Sequence, residues 1–131
     1  MARILVIDDQ AHIRTLIEEF LTIERHTVDL ADNGKVGIKM VELNVYDLVI
    51  SDIVMPEQDG LAVIAELKRL HPSVKIIAMT GGTETLDISD ILDTSELLGA
   101  DRVLSKPLDF TKLQAAVNEV LGSDNEADHA A

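Results

Sequence analysis

Short apolar runs alternate along this chain with stretches whose apolar positions recur every third or fourth residue. Arg3 to Ile7 (RILVI) is a dense run of branched aliphatics closing on Asp8-Asp9, the pattern of a strand buried on both faces. From Ala11, the positions Ile13, Leu16, Ile17, Phe20 and Leu21 fall at helical spacing and predict an amphipathic helix to about Glu24. Thr27 to Ala31 (TVDLA) predicts a short strand. Asp32-Asn33-Gly34 then offers a turn, or an Asp or Asn cap, and Val36, Met40 and Leu43 mark a second helix weakened by Gly34 and Gly37. Leu48 to Ile50 is again wholly apolar and presents Asp52 beyond its end. A loop through Met55, Pro56, Asp59 and Gly60 leads into a helix with Leu61, Ile64, Ala65, Leu67 and Leu70 inward, stopped by His71-Pro72. Val74 to Met79 (VKIIAM) predicts a fourth strand, ending at Thr80-Gly81-Gly82. Thr83 to Thr85 reads as loop, and Ile88, Ile91, Leu92 and Leu98 predict a helix from about Leu86. Arg102 to Ser105 is a fifth strand, followed by Lys106-Pro107. Asp109 caps a last helix whose inner face is Leu113, Ala116, Val117, Val120 and Leu121, and which Gly122 is expected to end.

Strands alternating with helices in this way imply right-handed βαβ units and a parallel sheet covered on both faces. The predicted fold is α/β, a flavodoxin-like doubly wound (βα)5 sandwich with a five-stranded parallel sheet of order 2-1-3-4-5. One domain is expected over residues 1–122, with 123–131 a polar, acidic, disordered tail. At 131 residues the chain is long enough to bury a core, and aliphatics must supply it, because apolar residues make up 47% and aromatics only 2%. The formal net charge of -13 without a block of lysine and arginine argues against binding nucleic acid or an anionic membrane. Cysteine is absent, and no stretch approaches the length of a membrane span or a signal peptide, so a cytoplasmic protein is expected.

In the predicted topology the carboxyl ends of four strands share one rim, and a polar residue stands at each. These are Asp8 and Asp9, Asp52, Thr80 and Lys106. Carboxylates from two adjacent strands with a lysine and a hydroxyl opposite suit a hard divalent cation and a phosphoryl group. Magnesium takes oxygen ligands, and manganese could substitute. Asp52 is then a carboxylate nucleophile able to form an aspartyl phosphate, with Lys106 neutralising and Thr80 hydrogen-bonding the transferring oxygens. Taken singly, each signal has an ordinary structural reading: the Asp pair as a turn or cap, Lys106-Pro107 as a surface turn, Thr80 as a buried hydroxyl. Their conjunction at adjacent strand ends is what carries the chemistry. His12, His26, His71 and His129 share no ligand spacing and read as surface residues.

Asp8-Asp9 after the first strand, Asp52-x-x-Met55-Pro56-x-x-Asp59-Gly60, Thr80-Gly81 and Lys106-Pro107 together resemble the receiver domain of two-component response regulators, over about residues 3 to 121. The resemblance implies that Asp52 accepts a phosphoryl group from a histidine kinase or histidine phosphotransfer protein. It implies that Asp8, Asp9, Asp52 and the carbonyl of Val54 hold magnesium, that Thr80 and Lys106 read the phosphoryl group, and that the Lys106-Pro107 bond is cis. The output face implied is the helix after residue 86, the strand 102–105 and the helix after Asp109, so the downstream partner would be a protein. No output domain follows Gly122 in this sequence, so a stand-alone regulator or phosphorelay shuttle is expected, catalysing only its own phosphorylation and slow self-dephosphorylation.

Two departures from the family pattern stand out. Val103 occupies the position where the family usually has an aromatic residue, and the segment from Gly81 to Lys106 is longer than common. Signalling is therefore expected to reorder the loop and helix between Gly81 and Leu98. The rival readings are a magnesium-dependent aspartyl-phosphate phosphohydrolase, a flavodoxin, and a degenerate receiver that only binds partners. The first needs an Asp-x-Asp pattern on the first strand, and the second a hydroxyl-rich phosphate loop and stacking aromatics; this chain has neither.

Overall fold

A computed structural model describes residues 1–55, 58–80 and 99–130, with the side chains of 54, 55, 58, 59 and 123–130 left aside. The elements are β1 (Arg3–Ile7), α1 (Ala11–Ile23), β2 (Thr27–Ala31), α2 (Gly34–Leu43), β3 (Leu48–Asp52), β4 (Val54–Met55), β5 (Gln58–Asp59), α3 (Gly60–Leu70), β6 (Lys75–Thr80), β7 (Arg102–Ser105) and α4 (Phe110–Ala130). Five strands form one parallel sheet in the order β2-β1-β3-β6-β7, which is 2-1-3-4-5 when the sheet strands are counted alone. The helix expected from Leu86 lies outside the described residues.

Strand alternation divides the core into two layers. Leu5, Ile7, Val49, Ile76 and Ala78 face Val41 of α2 and Val63, Ile64 and Leu67 of α3. Their neighbours Ile4, Val6, Leu48, Ile50, Ile77 and Met79 face Ile17 and Leu21 of α1 and Leu113, Val117 and Val120 of α4. Each central strand is thus buried on both sides, which is why it reads as an unbroken apolar run rather than an alternating one. Truncating one of these leucines or isoleucines, or Met79, to alanine would cost about 2–5 kcal/mol.

Local chemistry fixes the element ends. Asn33 caps α2, its side chain accepting the Val36 N–H at 2.9 Å. Asp109 Oδ1 accepts the Thr111 N–H at 2.9 Å and opens α4. Between β3 and α3 the chain makes a tight antiparallel hairpin, Val54 opposite Asp59 and Met55 opposite Gln58, where the sequence predicts only a loop. Gly60 closes it. A Cβ there would lie 2.3 Å from the backbone of Ile53, so no larger residue fits without moving main chain.

Two expectations are corrected. Helix α4 continues through Gly122 to Ala130. A single glycine costs a helix about 1 kcal/mol relative to alanine, and no proline follows to enforce a stop. His26 and His71 are half-buried rather than on the surface: the Ala2 N–H donates to His26 Nδ1 at 3.1 Å, and His71 Nε2 stands 3.1 Å from the Val41 carbonyl oxygen. Burial, the nearby N-terminal ammonium foremost among the charges, lowers the His26 pKa from its ordinary value, against the pull of Glu24. At the same pole of the sheet the Tyr46 hydroxyl donates to Asp29 Oδ2 at 2.7 Å, and Arg3 pairs with that carboxylate at 3.1 Å while its guanidinium lies 4.9 Å from the Tyr46 ring centre.

Candidate functional site

Among the described residues the buried polar side chains are Asp8, Ser51, Asp52 and Thr80. All of them stand at the carboxyl ends of β1, β3 and β6. Desolvating such groups is costly without partners, so their collection on one rim marks a built site.

Strand register explains how they meet. Ile7 pairs with Ser51, so the next residues, Asp8 and Asp52, emerge side by side. Asp52 pairs with Met79, and Thr80 with Ser105, so Lys106 leaves the edge strand just beyond Thr80. The Lys106 N–H donates to the Thr80 carbonyl at 2.8 Å, which fixes the start of its side chain. The lysine stem then reaches back over β6. Two strand spacings amount to about 9.6 Å, a span closed jointly by the extended lysine stem, the aspartate side chain and the hydrogen bond between them. Its Nζ arrives 2.8 Å from Asp52 Oδ2 and 2.8 Å from Asp8 Oδ2.

Carboxylate oxygens of Asp8, Asp9 and Asp52 all lie within 4.8 Å of one another, Asp8 and Asp52 buried and Asp9 exposed. Asp8 is held from several directions. Its Oδ1 accepts the Gln10 N–H at 2.9 Å, its own N–H donates to the Ala31 carbonyl at 3.1 Å, and Arg14 Nη1 donates to its carbonyl oxygen at 2.6 Å. Its Oδ2 forms an ion pair with the Lys106 ammonium at 2.8 Å, and among the described residues this buried oxygen accepts no other contact. The ion pair is real as an electrostatic contact, and the acceptor capacity of Oδ2 is left open. Burial disfavours the Lys106 ammonium, but the contacts with Asp52 and then Asp8 outweigh it and raise its pKa above the ordinary lysine value.

Three carboxylates against one ammonium leave the cluster strongly negative, and the open Oδ2 of Asp8 is a donor atom that a cation would complete. The three carboxylate oxygens lie close enough together to contribute to one small oxygen-ligated cation. The residues therefore fit a small hard cation, with Asp8, Asp9 and Asp52 as its carboxylates. Val54 lies two residues beyond Asp52, in the hairpin strand β4. The Lys106-Pro107 peptide bond is cis. Val103, on β7, is half-buried and packs against the α2–α3 side of the core.

Two contributors escape the sequence reading. Gln10 Oε1 accepts a hydrogen bond from Lys106 Nζ at 3.2 Å, and Arg14 grips the Asp8 carbonyl. Both lie in or beside the first turn of α1, four residues apart, which is the spacing that places two side chains on one helix face.

A parallel five-stranded sheet in this order, with an acidic triad and a lysine meeting at its carboxyl rim, defines a receiver. The chain belongs to the response regulator receiver domain family, whose model matches residues 4–118. Transcriptional regulatory protein ZraR from Escherichia coli (strain K12) is 34% identical over 125 residues, covering 95% of this chain and 27% of that protein. Response regulator ArlR from Staphylococcus epidermidis is 34% identical over 128 residues, covering 98% of this chain and 56% of that protein. The chain thus spans between about a quarter and just over half the length of these curated relatives. Among solved structures, response regulator TrrA from Thermotoga maritima in complex with Mg(2+)-BeF superposes with a TM-score of 0.78 at 37% identity, covering 92% of this chain and 99% of that one. A CheY-like receiver domain protein from Methanospirillum hungatei gives a TM-score of 0.87 at 25% identity, covering 97% of this chain and 98% of that one.

Proposed function

We propose that this receiver is a phosphorylation-controlled switch in which Asp52 takes a phosphoryl group from a phosphohistidine donor. The observation that carries the reading is the joint contact of Lys106 Nζ with the buried carboxylates of Asp52 and Asp8. A carboxylate oxygen of Asp52 attacks phosphorus, the phosphorus–nitrogen bond breaks, and the electron pair leaves on the histidine nitrogen. Lys106 is within reach of the oxygens that gain charge, and Thr80 stands at the end of the intervening strand. Asp8, Asp9, Asp52 and the Val54 carbonyl would hold magnesium, or manganese in its place, which supplies positive charge to the phosphoryl oxygens. The Mg(2+)-BeF complex of TrrA supports this assignment.

Phosphorylation adds about -1.5 to -2 charges, and a changed affinity for a protein partner would be read on the face that includes β7 and α4. The donor is a histidine kinase or a histidine phosphotransfer protein. Among the described residues no helix is long and apolar enough to cross a membrane. A histidine donor of the two-component kind favours a switch that works in the cytoplasm. The receiver proper is assigned to residues 1–122, and deleting 123–131 should leave the melting temperature and phosphorylation unchanged.

Mass spectrometry after incubation with a small acyl phosphate and magnesium tests the acceptor. One phosphoryl group on the wild type and none on Asp52→Asn is expected. Addition to both would move the acceptor elsewhere.

A further inference from the structure

The N-cap of α1 breaks a local rule. N-cap side chains ordinarily accept the backbone N–H of the second or third helical residue, yet the side chain of Gln10 makes no such bond. Its backbone carbonyl opens the helix, taking the N–H groups of Ile13 and Arg14, both at 3.1 Å. The amide oxygen instead accepts from Lys106 Nζ, 96 positions away in sequence. The residue is exposed, so no packing forces this orientation.

The ammonium donates to Asp52 at 2.8 Å and to Gln10 at 3.2 Å, and it pairs with Asp8 Oδ2 at 2.8 Å. One of these three contacts is with the carboxylate that the phosphoryl group would occupy. Gln10 and Asp8 are the partners that stay, and of the two Gln10 lies outside the acidic cluster.

We propose that Gln10 is a positioning residue for Lys106, holding the ammonium over the carboxylate pair in the direction from which it meets a phosphoryl oxygen. The kinetic consequence rests on the phosphoacceptor reading; the anchor itself does not.

The test compares wild type, Gln10→Leu and Gln10→Glu in two measurements. In the metal-free protein, the nitrogen-15 resonance of the Lys106 ammonium should shift and broaden in Gln10→Leu and remain ordered in Gln10→Glu, with backbone amides of α1 unmoved in both. With a small acyl phosphate and magnesium, the rate at saturating donor should fall about tenfold in Gln10→Leu with the half-saturating concentration unchanged, and recover in Gln10→Glu. A merely structural cap would alter melting temperature and spare this split. If the wild type takes no phosphoryl group while the Lys106 resonance responds, the anchor stands and the acceptor reading falls. If the wild type is phosphorylated and Gln10→Leu matches it in both measurements, the anchor is refuted.

Discussion

Replacing Asp8 by asparagine tests the charge balance of the rim directly. Asp8 Oδ2 stands 2.8 Å from the Lys106 ammonium, an attraction of about 6 kcal/mol at an effective dielectric of about 20. Against it act Asp9 and Asp52, with oxygens within 4.8 Å, which together repel Asp8 by about 7 kcal/mol in the same treatment. The attraction and repulsion on Asp8 thus nearly cancel in the metal-free fold, and desolvation adds nothing in favour of a carboxylate over an asparagine there. Asparagine keeps the oxygen that accepts the Gln10 N–H, and Lys106 keeps Asp52 and Gln10. Metal-free Asp8→Asn should therefore melt no lower than wild type. Magnesium reverses the comparison. At a hundredfold excess over its dissociation constant it stabilises wild type by about 2.7 kcal/mol, or about 10 °C for a domain of this size. A site weakened about thirtyfold retains about 0.9 kcal/mol at the same concentration. Calorimetry or fluorescence-dye melts with and without magnesium read both numbers. An undiminished magnesium increment would refute the metal assignment, and a metal-free melt lowered by more than about 5 °C would refute the charge balance.

Lys106→Met removes the ammonium from the acids and should destabilise the metal-free protein by about 2 kcal/mol while enlarging the magnesium increment; urea melts in both conditions check it. Gly60→Ala forces a Cβ against the Ile53 backbone and should cost about 3 kcal/mol, read from the urea midpoint. Tyr46 is the single tyrosine, so an ultraviolet titration reports it alone. Burial, then its hydrogen bond to Asp29, pushes its pKa up to about 12 from 10, so the ionisation should follow that value. Because the folded value is the higher one, the stability it contributes is present below pH 10 and lost as pH rises toward about 12.

Much of this was legible in the residues because the sheet is parallel and enclosed. Strand Arg3–Ile7 has the observed bounds, since its apolar run ends abruptly at the first polar residue, and the edge strand Thr27–Ala31 matches as well although Asp29 interrupts it. The same abruptness exposed Asp8, Asp52 and Lys106. Thr80 proved to be the last residue of its strand rather than the first beyond it, because a buried threonine continues the ladder as well as an aliphatic does. The β4–β5 hairpin was not legible, as strands of two residues carry no periodicity. Gln10 and Arg14 were missed for a different reason: their contacts depend on how far a side chain reaches across the rim, which spacing along the chain does not encode.

All five residues of β3 are buried, and β1 and β6 hydrogen-bond it along both sides. β7 lies at the border of the sheet with partly exposed residues and one ladder neighbour. The molecule is therefore mechanically asymmetric. Charge added at Asp52 would meet a fully enclosed strand, while among the described residues a less enclosed border lies two strands away, on the side from which Lys106 reaches in.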